Sequence, residues 1–327
     1  MKNIYFKENN KIRELVKKIE ALNIAYKTLE PPPEIIKDLL GKSLLKSALY
    51  SARIEGNPLS LAEVGERSLE KNSKSLHQKE VANLLSAYLF VNSKNAPKMF
   101  SKNLILKLHQ LVMKNIFSQA GSFRSEPSAI FNQAGIAVYL APSPKLINGL
   151  IDELILFANQ KSVPVLAKSA VIQFAFEKIH PFLDGNGRVG RLLSAFILFK
   201  AGYSYLSSSL EEYINENKLQ YYEALEPSKD AGGFVEFYLQ ALLQTAKKNF
   251  SKINADNTKT EGNDLLPRRK EILLIIKDHP DCSFDFISRR FSSVNPKTLH
   301  YDLKKLQDSG FVIKIGRTRG ALYRAKN

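Results

Sequence analysis

The chain has 327 residues, enough for a sizeable core and more than one core usually fills, so a larger and a smaller domain are expected. Hydrophobic residues make up 44% and charged residues 24%, which excludes wholesale disorder, and the single cysteine, Cys282, excludes an internal disulfide or a cysteine metal cluster. The formal net charge is +16, and 14 Lys and Arg against 6 Asp and Glu over 265–327 put +8 of it at the C-terminus, as suits an acidic partner or solubility alone.

The N-terminus lacks the apolar region of a signal peptide, and the expected location is the cytoplasm. From Lys11 to about Phe250 the pattern is almost wholly helical. Pro31, Pro32 and Pro33 should end the first helix, because proline has no amide donor and restricts the residue before it. A second helix then runs from about Glu34 through Ile54, and Ser51-Ala52-Arg53-Ile54-Glu55-Gly56-Asn57 closes it with Gly56 at a left-handed C-cap. Glu80-Val81-Ala82-Asn83 lies on a further helix, and Ile105, Leu106, Leu108, Leu111 and Val112 mark another by their three and four spacing. Residues 121–144 depart from helix: Ala129-Ile130 and Ala137-Val138-Tyr139-Leu140 flank 132–135, which predicts a short hairpin.

Next comes His180-Pro181-Phe182-Leu183-Asp184-Gly185-Asn186-Gly187-Arg188-Val189-Gly190-Arg191, between two apolar helical runs. Gly185 and Gly187 let backbone approach a ligand closely, and their amides precede a helix expected to start near Arg188, a combination suited to phosphate. Asp184 is a hard oxygen ligand for Mg²⁺, Arg188 and Arg191 can grip phosphate oxygens, and His180 can accept a proton near neutral pH. The following run, Leu192 to Leu198, is among the longest apolar stretches and is far too short to span a membrane. Tyr213, Asn217, Tyr221 and Tyr222 follow at helical spacing, where an aromatic pair can stack on a base or pack a core. Polar, acidic residues 254–262 show no apolar periodicity and are the expected linker.

After the linker, Ile272 to Ile276 predict one short helix, Phe286, Ile287 and Phe291 a second, and Asn295 before Pro296 caps a third. The third carries Leu299, Leu303 and Leu306 on one face and Lys297, His300, Tyr301, Lys304 and Lys305 around the rest. Phe311 to Ile315 and Ala321 to Tyr323 form two strands around a tip at 316–320. Three helices and a basic-tipped hairpin resemble a winged helix, in which Lys297 and Tyr301 on the third helix and Arg317 and Arg319 on the wing are the candidate DNA contacts. Winged helices also bind proteins or dimerise, so DNA, another protein and a second copy of the chain all stay open as partners.

The His180 segment resembles the signature of the Fic family, and every position of that signature is present. The resemblance implies a protein adenylyltransferase: His180 deprotonates a target hydroxyl, which attacks the α-phosphate of ATP and expels pyrophosphate. It further implies that Asp184 holds Mg²⁺, that Asn186 and the Gly185 and Gly187 amides hold phosphate oxygens, and that Arg188 and Arg191 take the distal phosphates. The related Doc kinases carry alanine and lysine in place of Gly185 and Gly187. Ser51, Glu55 and Gly56 resemble the family's inhibitory motif, which implies a Glu55–Arg191 pair that blocks productive ATP binding, or a Glu55 that positions water to remove AMP from a target.

The 121–144 hairpin resembles the family's flap, which holds the target's extended segment by main-chain pairing, although Ile130-Phe131-Asn132 stands where Ile-Gly-Gly is usual. Tyr213, Asn217, Tyr221 and Tyr222 resemble the adenine-lining segment, with Phe234 and Phe237 where a tryptophan is usual, and Glu80-Val81-Ala82-Asn83 resembles a shared helical segment, assigned here to packing. The expected architecture is therefore mostly α: an N-terminal helical region with the inhibitory helix at 1–95, a Fic core with a short β-hairpin flap at 96–250, a linker at 251–264 and a winged-helix domain at 265–327. The expected function is transfer of AMP from ATP, with Mg²⁺, to a Ser, Thr or Tyr hydroxyl of a protein, the chain itself included, with no membrane partner. The alternatives are a DNA-binding regulator with an ATP-sensing Fic domain and an enzyme that removes AMP from proteins.

Overall fold

The computed structural model describes residues 4, 6–29, 33–64, 75–131, 137–226, 229–260, 265–292, 294–316 and 321–326, with the side chains of 33–35, 130–138 and 254–260 left aside. The chain is mostly α-helical and divides into two units, Met1–Ile253 and Asn254–Asn327.

In the first unit, α1 (Asn10–Thr28) begins where the Asn9 side chain accepts the Ile12 N–H at 2.8 Å, and it buries Ile12, Leu15 and Ile19 along one stripe. Pro31 and Pro32 lie outside the described residues, and Pro33 opens α2 (Pro33–Ile54), where a proline's missing N–H removes no helical bond. The end of α2 is a Schellman turn: Gly56 has φ +98, and the Asn57 N–H reaches back to the Ala52 carbonyl at 3.1 Å. Serine caps start both α3 (Leu76–Asn92) and α4 (Lys102–Val112).

Then come β1 (Ala129–Phe131) and β2 (Ala137–Leu140), an antiparallel pair with Ala129 opposite Leu140, Ile130 opposite Tyr139 and an irregularity between Ile130 and Phe131. Asn132, which completes the changed flap triplet, lies outside the described residues. After α5 (Ile147–Asn159), the helices α6 (Val165–Ile179) and α7 (Asn186–Lys200) form the centre of this unit. Every α6 residue from Leu166 to Ile179 is buried, and a helix covered on all sides is the core itself rather than a cover for it. Three short helices, α8 (Ser204–Ser207), α9 (Leu210–Glu216) and α10 (Lys218–Leu225), precede the long α11 (Gly232–Thr260). That last helix runs into the segment expected as the linker: residues 254–260 are helical, and 261–264 lie outside the described residues.

The second unit runs α12 (Pro267–Asp278), β3 (Cys282–Ser283), α13 (Phe284–Arg290), α14 (Pro296–Asp308), β4 (Val312–Ile315) and β5 (Leu322–Ala325), with an antiparallel sheet ordered β3-β5-β4. Ile272, Ile276, Ile287, Leu299, Leu303 and Leu306 fill its core. Asn295 caps α14 by accepting the Lys297 N–H at 2.9 Å. Asp302, also on α14, is buried, and its carboxylate takes Arg268 Nε at 2.6 Å and Arg269 Nε at 2.8 Å, so α12 and α14 are joined by charge as well as by apolar contact.

Candidate active site

The turn between α6 and α7 is built from backbone upward. His180 ends α6 in the left-handed region, φ +48 and ψ 58, with its N–H on the Phe176 carbonyl at 2.9 Å. Side chains other than glycine and asparagine rarely sit there, so the surroundings must hold it. Pro181 prevents the helix from continuing. Asn186 clasps the loop: its Oδ1 accepts the Phe182 N–H at 2.9 Å and its Nδ2 donates to the Phe182 carbonyl at 2.8 Å. Both ends of the Asn186 side-chain amide are thus engaged with the loop, so what Asn186 offers at the helix start is its backbone N–H.

Beneath the loop lies His109, fully buried, its ring stacked on Phe182 at 3.7 Å. Its Nδ1 accepts the Gly121 N–H at 2.8 Å, so the ring proton belongs on Nε2, which faces the Asp184 carbonyl at 3.1 Å. Burial pushes its pKa down to about 4, and the ring is neutral at pH 7.

Gly185 caps α7 at φ +81, and a side chain there would also press on Met113, its Cβ 3.0 Å from Sδ. The helix begins at Asn186, two residues earlier than the spacing predicts. Its first amide-to-carbonyl bond is from Val189 to Gly185, at 3.0 Å, which leaves the Asn186, Gly187 and Arg188 N–H groups as the donors at the helix start. The Gly185 amide is instead taken by Asp184 Oδ1 at 2.6 Å. The same oxygen accepts Arg188 Nη2 at 2.7 Å, while more than half of the Asp184 side chain, at 57%, stays open to solvent.

Arg188 is buried and tied at its other end, Nη1, to Glu80 Oε1 at 3.4 Å. Glu80 Oε2 in turn accepts Asn57 Nδ2 at 2.7 Å. Glu80 therefore joins the residue after the Gly56 turn to the α7 start, where packing alone was expected of it.

Arg191, one turn along α7, is 1% exposed. Its Nε donates to Ser51 Oγ at 2.9 Å, and its Nη2 to the Ser51 carbonyl at 3.0 Å and to Glu55 Oε1 at 2.8 Å. Burial is the largest single effect and opposes its charge, but Glu55, Tyr221 and Glu177 together outweigh it and hold the guanidinium well above its ordinary range. Glu55 also covers the anion-binding end of α7, for a Cβ placed on Gly187 would collide with Glu55 Oε1. Glu177 sits behind, against Gly190, and burial pushes its carboxyl up to about 7.

Tyr221 is buried, its hydroxyl 3.1 Å from Gln173 Nε2 and 3.5 Å from Arg191 Nη1, which makes it a wall behind Arg191 instead of an open adenine face and corrects that expectation. Tyr222 is 43% exposed, with its hydroxyl on the Ile54 carbonyl at 3.2 Å. Half-buried Tyr213 leans on Phe237, and Asn217 Nδ2 donates to the Tyr213 carbonyl at 2.9 Å.

His180 is half-buried; its Nδ1 lies 3.3 Å from the Glu177 carbonyl, so Nδ1 carries the proton and Nε2 keeps a free lone pair. Burial lowers its pKa, helped by the Arg124 charge. The hairpin root adjoins this turn, with the Tyr139 hydroxyl donating to the Lys178 carbonyl at 2.9 Å and the Ala141 N–H to the Ser128 carbonyl at 3.0 Å. The structure thus gathers Ser51, Glu55, Asp184, Arg188, Arg191 and Tyr222 with His180 around one helix start.

In the second unit Lys297, His300, Tyr301, Lys304 and Lys305 are exposed together on α14, while Arg317 and Arg319 lie outside the described residues. Sequence reasoning missed Arg124 and His109, whose only signal was a polar side chain at an otherwise apolar helical position or beside a glycine turn. No described helix is long and apolar enough to cross a membrane.

Comparison with known proteins bears on this geometry. The model of the Fic/DOC family matches residues 99–198. A Fido domain-containing protein of Dictyostelium discoideum is 34% identical over 118 residues, covering 34% of this chain and 80% of that one. A probable protein adenylyltransferase of Aquifex aeolicus is 30% identical over 157 residues, 48% of this chain and 44% of the relative. The protein adenylyltransferase Fic of Drosophila erecta is 29% identical over 163 residues, 47% and 32% of the two chains. The chain thus spans less than half the length of these two adenylyltransferases. In fold it is similar to a crystal structure of a Fic family protein from Desulfovibrio desulfuricans, with a TM-score of 0.68 and 22% identity over 99% of this chain and 98% of that one.

Proposed function

The chain belongs to the Fic/DOC family, and from that membership we propose that it transfers AMP from ATP to a Ser, Thr or Tyr hydroxyl of a protein, with Glu55 holding the site inhibited. The observation that carries this reading is the conjunction at α7: a helix start with free amides, an imidazole with a free Nε2 just ahead of it, and an arginine one turn on held by Glu55. Such a helix start favours anions by dipole and by donor geometry. ATP would lie with its phosphates across the Asn186, Gly187 and Arg188 amides, in reach of Arg188 and Arg191, and Tyr222 is the aromatic face still open to a base.

His180 Nε2 takes the proton of the acceptor hydroxyl as its oxygen attacks the α-phosphorus. The α–β bridging bond breaks, and pyrophosphate leaves with the electron pair. The amides and Arg191 stabilise the charge that moves onto the phosphates. Asp184 fits Mg²⁺, since its carboxylate is largely open and borders the phosphate site; when bound, Mg²⁺ neutralises phosphate charge. Among the described residues no group of three or more His, Cys, Asp and Glu side chains converges, so such a cation would take most ligands from phosphates and water.

The test is the position of the label. With the Glu55→Gly variant, α-labelled ATP should mark protein and γ-labelled ATP should not. Transfer of the γ-label would make the enzyme a kinase, and transfer of neither would favour the regulator or the AMP-removing reading.

A second reading concerns the C-terminal unit, which we assign to nucleic acid on its helix order and the exposed basic face of α14 with Tyr301. Its affinity for duplex DNA should fall steeply with salt, by about one logarithmic unit per tenfold salt for each phosphate neutralised. Lys304→Glu with Lys305→Glu should flatten that slope in a titration by fluorescence anisotropy. No binding at low salt would leave this unit to a protein partner or a second copy of the chain.

A further inference from the structure

Arg124 lies just ahead of the hairpin and is 3% exposed. Its side chain makes three bonds, all to main-chain carbonyls. Nε donates to His180 at 2.8 Å, Nη1 to Glu126 at 2.8 Å, and Nη2 to Pro142 at 2.6 Å. Its own N–H adds a fourth, to the Pro181 carbonyl at 2.9 Å. Glu126 precedes β1 and Pro142 follows β2, so one guanidinium grips both feet of the hairpin and the turn that carries His180.

Among the described residues no carboxylate pairs with this cation, and burial pushes its pKa down. A buried charge without a counter-charge is unfavourable unless its donors are all well used. Here they are spent on geometry: the planar fork of arginine reaches three carbonyls at fixed angles, which the single ammonium of lysine cannot do. The left-handed His180 leaves carbonyls at the end of α6 without helical partners, and Arg124 answers that need too.

We propose that Arg124 is a positioning residue that locks the root of the hairpin to the His180 turn, and so sets where an acceptor hydroxyl held along the hairpin stands relative to the imidazole. This rests on the reading of His180 as base and of the hairpin as acceptor-binding. It does not concern the nucleotide, whose donors lie on α7. Misplacing a reacting group by about 1 Å is enough to lower a rate on the order of 100-fold.

The test compares Arg124→Lys and Arg124→Gln in the Glu55→Gly background. Three things are read: self-labelling at saturating α-labelled ATP, the affinity for ATP by direct titration, and hydrogen exchange at the Ala141 amide, with melting temperature as the check on folding. The expected result is a transfer rate lower by about 10 to 100-fold, ATP affinity within about 3-fold of the parent, and faster Ala141 exchange in both variants. Transfer at the parent rate overturns the proposal. So does a loss of ATP affinity that parallels the loss of rate, since that would place Arg124 in the nucleotide site or in general stability. If the parent itself transfers no label, the adenylyl-transfer reading fails on its own, and unchanged Ala141 exchange in folded variants still refutes the anchoring role.

Discussion

Replacing Glu55 with glycine should raise transfer of α-label to protein by about 10 to 100-fold over the wild type at saturating ATP. The size follows from the contact removed: a charge-assisted hydrogen bond is worth roughly 1.5–3 kcal/mol, and each 1.4 kcal/mol is tenfold. Two physical effects act together. The Arg191 Nη2 donor, now 2.8 Å from Glu55 Oε1, becomes free for a phosphate oxygen. The carboxylate that sits over Gly187, at the mouth of the α7 amides, is withdrawn, and with it the repulsion of an anion. Glu55→Gln separates them, since it keeps an oxygen for Arg191 but removes the charge, and it should fall between the two. Equal labelling by wild type and Glu55→Gly would falsify the inhibitory role.

His180→Ala should lower transfer by about 100 to 10,000-fold in the Glu55→Gly background, the usual contribution of a placed general base. ATP affinity should hardly change, because the phosphate donors belong to α7. The pH profile gives an independent sign. Burial holds the His180 pKa below its ordinary value of 6.5, so the neutral, proton-accepting ring prevails at pH 7, and transfer should fall only as pH drops below 6.5. The Glu55 and Asp184 charges pull the other way, so removing Glu55 should move the acid limb to still lower pH. A His180→Ala enzyme that transfers normally would remove the base from the mechanism.

Much of the candidate site's geometry was legible because it is local in sequence: His180, Asp184, Gly185, Gly187 and Arg188 share one turn, and backbone conformation carries them. The helical character of the chain followed from apolar spacing, and the α14 cap from Asn295 before Pro296. What escaped were side chains whose purpose is set by partners far along the chain. Arg124 meets His180 across 56 positions, and Glu80 meets Arg188 across 108. The loop-clasping part of Asn186 escaped as well, since the sequence does not show its two side-chain bonds to Phe182. Tyr221 and Tyr222 are adjacent and alike in sequence, and only burial tells the wall from the open face. The helical run of 254–260 was hidden because polar residues give no periodic signal even where the backbone is helical.

The burial of Arg191 reaches beyond regulation. A guanidinium that is 1% exposed is costly to bury, and Glu55 is the one carboxylate that pairs with it directly among the described residues. If Glu55 is the proposed brake, a variant without it leaves this interior cation its bonds to uncharged Ser51 and Tyr221, and it should be the more fragile fold until a nucleotide supplies an anion. On the proposed function, activity and longevity would then be opposed in the same protein, and the nucleotide supply would govern how long an unlocked molecule survives.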